Sequence, residues 1–156
     1  MYDELNEVIK LFSLYEIQDD RKLVLQPLIT FITTKLAKRE SVRLNFICTH
    51  NSRRSHLAQI WAQTMVDYCG LEDIHCYSGG TEATAVNYKV VETLTNQGFN
   101  ILPLSESSNP VYAIKHGENA RPFICFSKVY QHEFNPKNHY AAVLVCDSAD
   151  QGCPVV

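Results

Sequence analysis

The 156-residue sequence has no run of eighteen apolar residues, no C-x2-C pair, no internal repeat, no low-complexity tract and no excess of basic charge. The first absence excludes a membrane-spanning helix, and the opening "MYDELNEVIK" is acidic where a signal peptide would be basic and then apolar, so a cytoplasmic protein with no membrane partner is expected. The second excludes the common zinc pattern, because the six cysteines do not combine in spacing with the six scattered histidines; neither a metal site nor a cofactor is called for. A formal net charge of −3 and a pI near 6.0 exclude a nucleic-acid partner held by overall charge, so that any anion site must be local. The cysteines also lack the regular spacing of a secreted disulfide framework, and most are expected to be thiols in a reducing compartment. With 46% hydrophobic residues the chain has material for an ordinary core.

Apolar residues recur at helical spacing over residues 4–12 (Leu5, Val8, Ile9, Phe12) and again from about Asp20 to Lys38, where Pro27 predicts a kink or a start just before it. "RLNFIC" then reads as a short buried strand, followed by a helix from about Ser55 with Leu57, Ile60, Trp61, Thr64 or Met65, and Tyr68 on one face, ending near Gly70. "DIHCYSGG" is a second strand, and "AVNYKVVETLTNQGFN" a second helix closed by Gly98. Residues 109–130 suggest two short strands about a polar turn at Gly117 to Asn119, and "HYAAVLVC" a third core strand covered on both faces. The alternation predicts an α/β fold with a doubly wound parallel sheet, whose ligands bind at the carboxyl ends of the strands, where both Cys48 and Cys146 stand.

"CTHNSRRS", positions 48–55, lies between the first strand and its helix. Such a loop turns successive backbone N–H groups into one concavity and the helix dipole adds positive potential, which suits an oxyanion and favours thiolate at Cys48. A thiolate beneath a bound tetrahedral ion is a nucleophile, and the planar fork of Arg54 can hold two equatorial oxygens. Ser55 can donate to the sulfur, and Asn51 tolerates the left-handed backbone that a tightly coiled loop needs. The oxyanion loop is therefore Thr49, His50, Asn51, Ser52, Arg53 and Arg54. The alternatives are a small buried cysteine at a strand end and a solvated arginine; Asn51, Ser55 and the strand-loop-helix setting weigh against them.

"ICTHNSRRSHLAQIWA" resembles the phosphate-binding loop and first helix shared by the low-molecular-weight protein tyrosine phosphatases and the thioredoxin-coupled arsenate reductases. "YSGGTEAT" is similar to their second strand and the turn after it, and "VLVCDSADQGCP" to the redox segment of the reductase branch. The resemblance covers about residues 43 to 104 and 141 to 154. It implies that Cys48 attacks arsenate, Cys146 expels arsenite by forming a disulfide with Cys48, and Cys153 takes over that bond and presents it to thioredoxin.

The leading expectation is thus an arsenate reductase with Cys48, Arg54, Ser55, Cys146 and Cys153 as catalytic residues. The alternatives are a phosphatase of this family acting on phosphotyrosine or a small phosphate ester, and a non-catalytic oxyanion-binding module. Three departures from the family pattern bear on this. Arg53 stands where the phosphatase loop often has a second cysteine; Gln59 stands where reductases use an acidic residue for potassium, so no potassium is expected. The family's general acid, an aspartate before a proline, belongs to a loop past the redox segment, and Asp147 and Asp150 are expected to be solvated instead. Residues 1–40 are expected to form a helical extension packed on the domain of residues 41–156, which is expected to lack the last strand and helix and to leave its third strand as an exposed edge. Cys69, Cys76 and Cys125 are expected to be ordinary thiols.

Overall fold

A computed structural model describes residues 1–12 and 14–146. Its elements are α1 (Asp3–Phe12), α2 (Asp19–Ala37), β1 (Val42–Cys48), α3 (Arg54–Tyr68), β2 (Ile74–Gly80), α4 (Tyr88–Asn96), β3 (Asn100–Pro103), β4 (Tyr112–Lys115), β5 (Phe123–Cys125) and β6 (Ala141–Leu144). A parallel sheet runs in the order β2-β1-β6, with Val42 opposite Ile74 and Ile47 opposite both Gly79 and Leu144. The second sheet, β3-β4-β5, is antiparallel. The fold is therefore α/β with a parallel sheet, as the strand and helix alternation implies.

Alternating residues of β1 divide the interior. Val42, Leu44 and Phe46 pack with Ile74 and Cys76 of β2, with Ala58, Ala62 and Val66 of α3, and with Leu28, Phe31 and Ile32 of α2. Ile47 packs on the opposite face with Tyr130 and Cys146. A second core joins Leu5 of α1, Ile60 of α3, Val90 and Leu94 of α4, Phe99, Ile114 and Cys125. Leu5 is fully buried there, a burial that contributes about 1.5–3 kcal/mol and anchors α1. Gly98, with φ 99, ends α4 and lets α1 approach: a Cβ at that position would lie 2.6 Å from Cβ of Glu4.

Four expectations change. The helix α2 runs unbroken through Pro27, because the carbonyl that proline leaves without a donor belongs to Leu23, whose residue is 75% exposed and open to water. The helix α3 contributes to both cores, so it has no single apolar face: Tyr68 is half exposed, whereas Ser55, His56, Gln59 and Thr64 are buried. The strand β3 was not foreseen; its four residues are too short a pattern to announce themselves. Finally, Ala142 and Leu144 of β6 are exposed, where coverage on both faces is expected for this run; its place at the edge of the sheet among the described residues is the expected one.

Candidate active site

The site is built where β1 ends and α3 begins. Cys48 is the last residue of β1 and is 4% exposed; Arg54 is the first residue of α3. Asn51, fully buried between them, has φ 43, the left-handed geometry that reverses the chain in so short a loop. The second of the two glycines that end β2 makes room for it. A Cβ on Gly80 would stand 2.6 Å from the Thr49 carbonyl oxygen and 2.7 Å from the Asn51 nitrogen.

Four carbonyls of the loop find donors outside it. Cys48 O accepts from Thr81 N–H at 3.1 Å, Thr49 O from Glu82 N–H at 2.8 Å, and Ser52 O from Asn87 N–H at 2.9 Å. His50 O accepts from the hydroxyls of Ser127 at 2.9 Å and Thr84 at 3.2 Å. The Ser52 hydroxyl adds a bond of 2.7 Å to the Ala85 carbonyl. Among the described residues, none of these loop and turn backbone hydrogen bonds is donated by the N–H of His50, Asn51, Ser52, Arg53 or Arg54. Amides left out of these bonds are able to serve an anion in the concavity, where the start of α3 adds positive potential.

That concavity is a polar hollow of about 130 Å³ lined by Cys48, His50, Ser52, Arg53, Arg54, Thr84 and Asn87. Proton direction around the cysteine follows from one unambiguous donor. The Lys128 backbone N–H donates to Asn51 Oδ1 at 2.9 Å, which fixes the amide so that Nδ2 donates to Ser55 Oγ at 2.8 Å. The Ser55 hydroxyl then has its own proton to give, and Cys48 Sγ lies 3.1 Å away.

Cys146 follows β6. Its sulfur is 3.7 Å from Thr49 Oγ1, so the structure brings it to the flank of the loop. Cys153, like Asp147 and Asp150, lies outside the described residues. Cys69 is exposed, while burial pushes the thiols of Cys76 and Cys125 up to about 12, which makes them inert. No group of three or more potential metal ligands occurs among the described residues, and no helix among them is long and apolar enough to cross a membrane.

Several contributors were not legible in the sequence. Ser127 and Lys128 come from the segment 105–140, and Asn109 clamps Ser127 with two bonds, accepting from its N–H at 3.0 Å and donating to its carbonyl at 2.8 Å. Lys128 is 2% exposed, with its ammonium 4.6 Å from the Phe126 ring and 5.4 Å from that of Phe134. Burial pushes its ammonium down to about 8. On α3, His56 bonds Ser78 Oγ through Nδ1 at 3.2 Å, and burial, aided by the positive charge of Lys128, pushes its imidazole down to about 3. Nothing in "ARPFICFSKVY" announces a brace for a loop 77 positions earlier.

Comparison with known proteins agrees with this geometry. Residues 43–112 match the family model described as low molecular weight phosphotyrosine protein phosphatase. The chain is 31% identical over 111 residues to arsenate reductases of two strains of Staphylococcus epidermidis, an overlap covering 71% of this chain and 65% of theirs. Over 56 residues it is 41% identical to an arsenate reductase of Staphylococcus aureus, covering 36% of this chain and 40% of that one. The chain thus spans just under two thirds of the length of the first two relatives. No solved structure matches at a significant level. Through its cysteine loop, parallel sheet and sequence, this chain carries over residues 43–112 a region that matches the low molecular weight phosphotyrosine protein phosphatase family model, and it is a homologue of the staphylococcal arsenate reductases.

Proposed function

We propose that the protein reduces arsenate through a cysteine relay. The Cys48 thiolate attacks arsenic from the base of the hollow while the loop amides and Arg54 hold the equatorial oxygens; an S–As bond forms and one oxygen leaves as water after taking a proton. Cys146 then attacks the Cys48 sulfur. The S–S bond forms, the S–As bond breaks, and its electron pair stays on arsenic, which departs as arsenite. Cys153, assigned from the resemblance, attacks the Cys146 sulfur and frees Cys48, and the dithiol of thioredoxin supplies the two electrons that reset the pair.

The observation that carries this reading is the place of Cys146. Ile47 pairs with Leu144, and Val145 N–H donates to Ile47 O at 2.9 Å, so Cys146 stands level with Thr49 and diagonal to Cys48. With strands about 4.8 Å apart and a rise of about 3.3 Å per residue, diagonal neighbours lie roughly 6 Å apart in Cα, inside the window of a disulfide, but strand alternation turns the two side chains to opposite faces, so the bond requires the backbone around Cys48 or Cys146 to rearrange. A phosphatase needs no cysteine there. The second reading, hydrolysis of phosphate monoesters through a cysteinyl phosphate, is favoured by the match to the phosphatase family model and uses the same hollow.

Turnover with arsenate, thioredoxin, thioredoxin reductase and NADPH tests the two. Cys146→Ser is expected to abolish arsenate-dependent NADPH consumption while leaving p-nitrophenyl phosphate cleavage within about threefold. An unchanged arsenate rate in that variant excludes the relay, and loss of both activities in Cys48→Ser is required by either reading.

A further inference from the structure

A buried cation stands against the cysteine loop. Lys128 is 2% exposed, and its backbone N–H donates to Asn51 Oδ1 at 2.9 Å. Asn51 in turn donates to Ser55 at 2.8 Å, and Ser55 Oγ lies 3.1 Å from Cys48 Sγ. At the far end of the stem the ammonium donates to the Phe126 carbonyl at 3.3 Å and lies 4.6 Å from the Phe126 ring and 5.4 Å from that of Phe134. We propose that this ammonium is an internal counter-charge for the ion in the hollow, so that the site favours doubly charged tetrahedral oxyanions over singly charged ones. The proposal rests on the hollow being an oxyanion site, as argued above.

Position and charge both support it. A lysine stem is short, so a residue bonded to Asn51 through its backbone keeps its charge within roughly 10 Å of that side chain. The charge is felt in the first turn of α3, where it adds to burial in holding the His56 imidazole down to about 3. Burial pushes the ammonium itself down only to about 8, so it remains charged at neutral pH. The titratable groups it influences are His56 and Cys125. Burial keeps the imidazole neutral and the thiol protonated, pushed up to about 12, so neither answers the ammonium with negative charge. A buried cation left in that condition is costly to the empty protein and is relieved when an anion settles in the hollow. The attraction grows in proportion to the charge of the guest and does not depend on which oxygen it presents.

Two ions of one shape and different charge separate this field from a change in the loop. Sulfate and perchlorate are both tetrahedral, the first a dianion and the second a monoanion. With the full chain at pH 7 and fixed ionic strength, the concentration of each that half-protects Cys48 from iodoacetamide is measured in the unsubstituted protein, Lys128→Met and Lys128→Arg. Methionine keeps the stem and the backbone donor to Asn51 and removes only the charge. Lys128→Met is expected to need about tenfold more sulfate and about threefold more perchlorate, while its urea midpoint is no lower than that of the unsubstituted protein. Lys128→Arg is expected to stay within about threefold for sulfate, because the charge is kept. Loss of affinity without loss of stability is the signature of a counter-charge, since damage to the loop lowers both. An unchanged sulfate concentration, equal losses on the two ions, or a Lys128→Met chain that is less stable or fails to fold overturns the inference and leaves the hollow's role standing. If neither ion protects Cys48 in the unsubstituted protein, the hollow is not an oxyanion site and both readings fall.

Discussion

Asn51→Ala tests whether the loop's shape depends on one side chain. The asparagine is fully buried at φ 43, accepts from Lys128 N–H and donates to Ser55. Truncation leaves the Lys128 N–H buried without a partner, which costs about 1–3 kcal/mol, and removes the Ser55 link, worth about 1 kcal/mol net. Alanine also tolerates left-handed geometry less well than asparagine, by about 1 kcal/mol. The sum is roughly 3–5 kcal/mol, a large part of an ordinary domain's stability. Urea unfolding at pH 7 measures it, with Asn51→Gly as the companion. Glycine loses the same hydrogen bonds but is at ease at positive φ, so it is expected to recover about 1 kcal/mol. The rise in melting temperature caused by inorganic phosphate is expected to vanish in both variants. An alanine variant within 1 kcal/mol of the unsubstituted protein, with its phosphate response intact, would refute the reasoning.

Three more predictions concern titration and thiol access. Folded His56 stays neutral down to about pH 3, whereas the unfolded chain's imidazole takes a proton below about 6.5; stability is therefore fully present above pH 6.5 and falls as pH drops, by roughly 1.4 kcal/mol per unit, a slope that His56→Gln should flatten in urea titrations. Lys128 behaves alike at higher pH: its ammonium, pushed down to about 8 by burial, makes stability rise between pH 8 and about 10.4, and Lys128→Met is expected to remove that rise and to increase the urea midpoint at pH 7. Iodoacetate on the native protein, read by peptide mass spectrometry, is expected to modify Cys48 and to be blocked there by phosphate or arsenate, while Cys76 and Cys125 react only after unfolding.

The sequence makes the centre of the molecule readable and its surroundings less so. The strand-loop-helix unit around Cys48, with Asn51 at its reversal and the caps at Gly70 and Gly98, follows from local signals: apolar runs, a residue that accepts positive φ, and helix-ending glycines. The pairing of the short strands β4 and β5 about their polar turn is local in the same way. What escapes is long-range. Ser127 and Lys128 reach His50 and Asn51 across 77 positions, and no periodicity encodes such a meeting. Lys128 reads as a solvated charge until the rings of Phe126 and Phe134 are seen on either side of its stem. The buried polar face of α3 escapes for a related reason: a helix wedged between two cores does not show the single apolar stripe by which helices are recognised.

Because four of its carbonyls are tethered from outside, the loop is held in shape without a guest, and under the proposed function it would judge an ion by size and charge. Arsenate and phosphate are tetrahedra of nearly equal dimensions, so such a receptacle has little means of telling them apart. Phosphate should then compete with arsenate at every encounter, and discrimination between the two must arise later, in whether the bond from sulfur leads to a reducible centre. A protein of this design would be sensitive to the phosphate level around it.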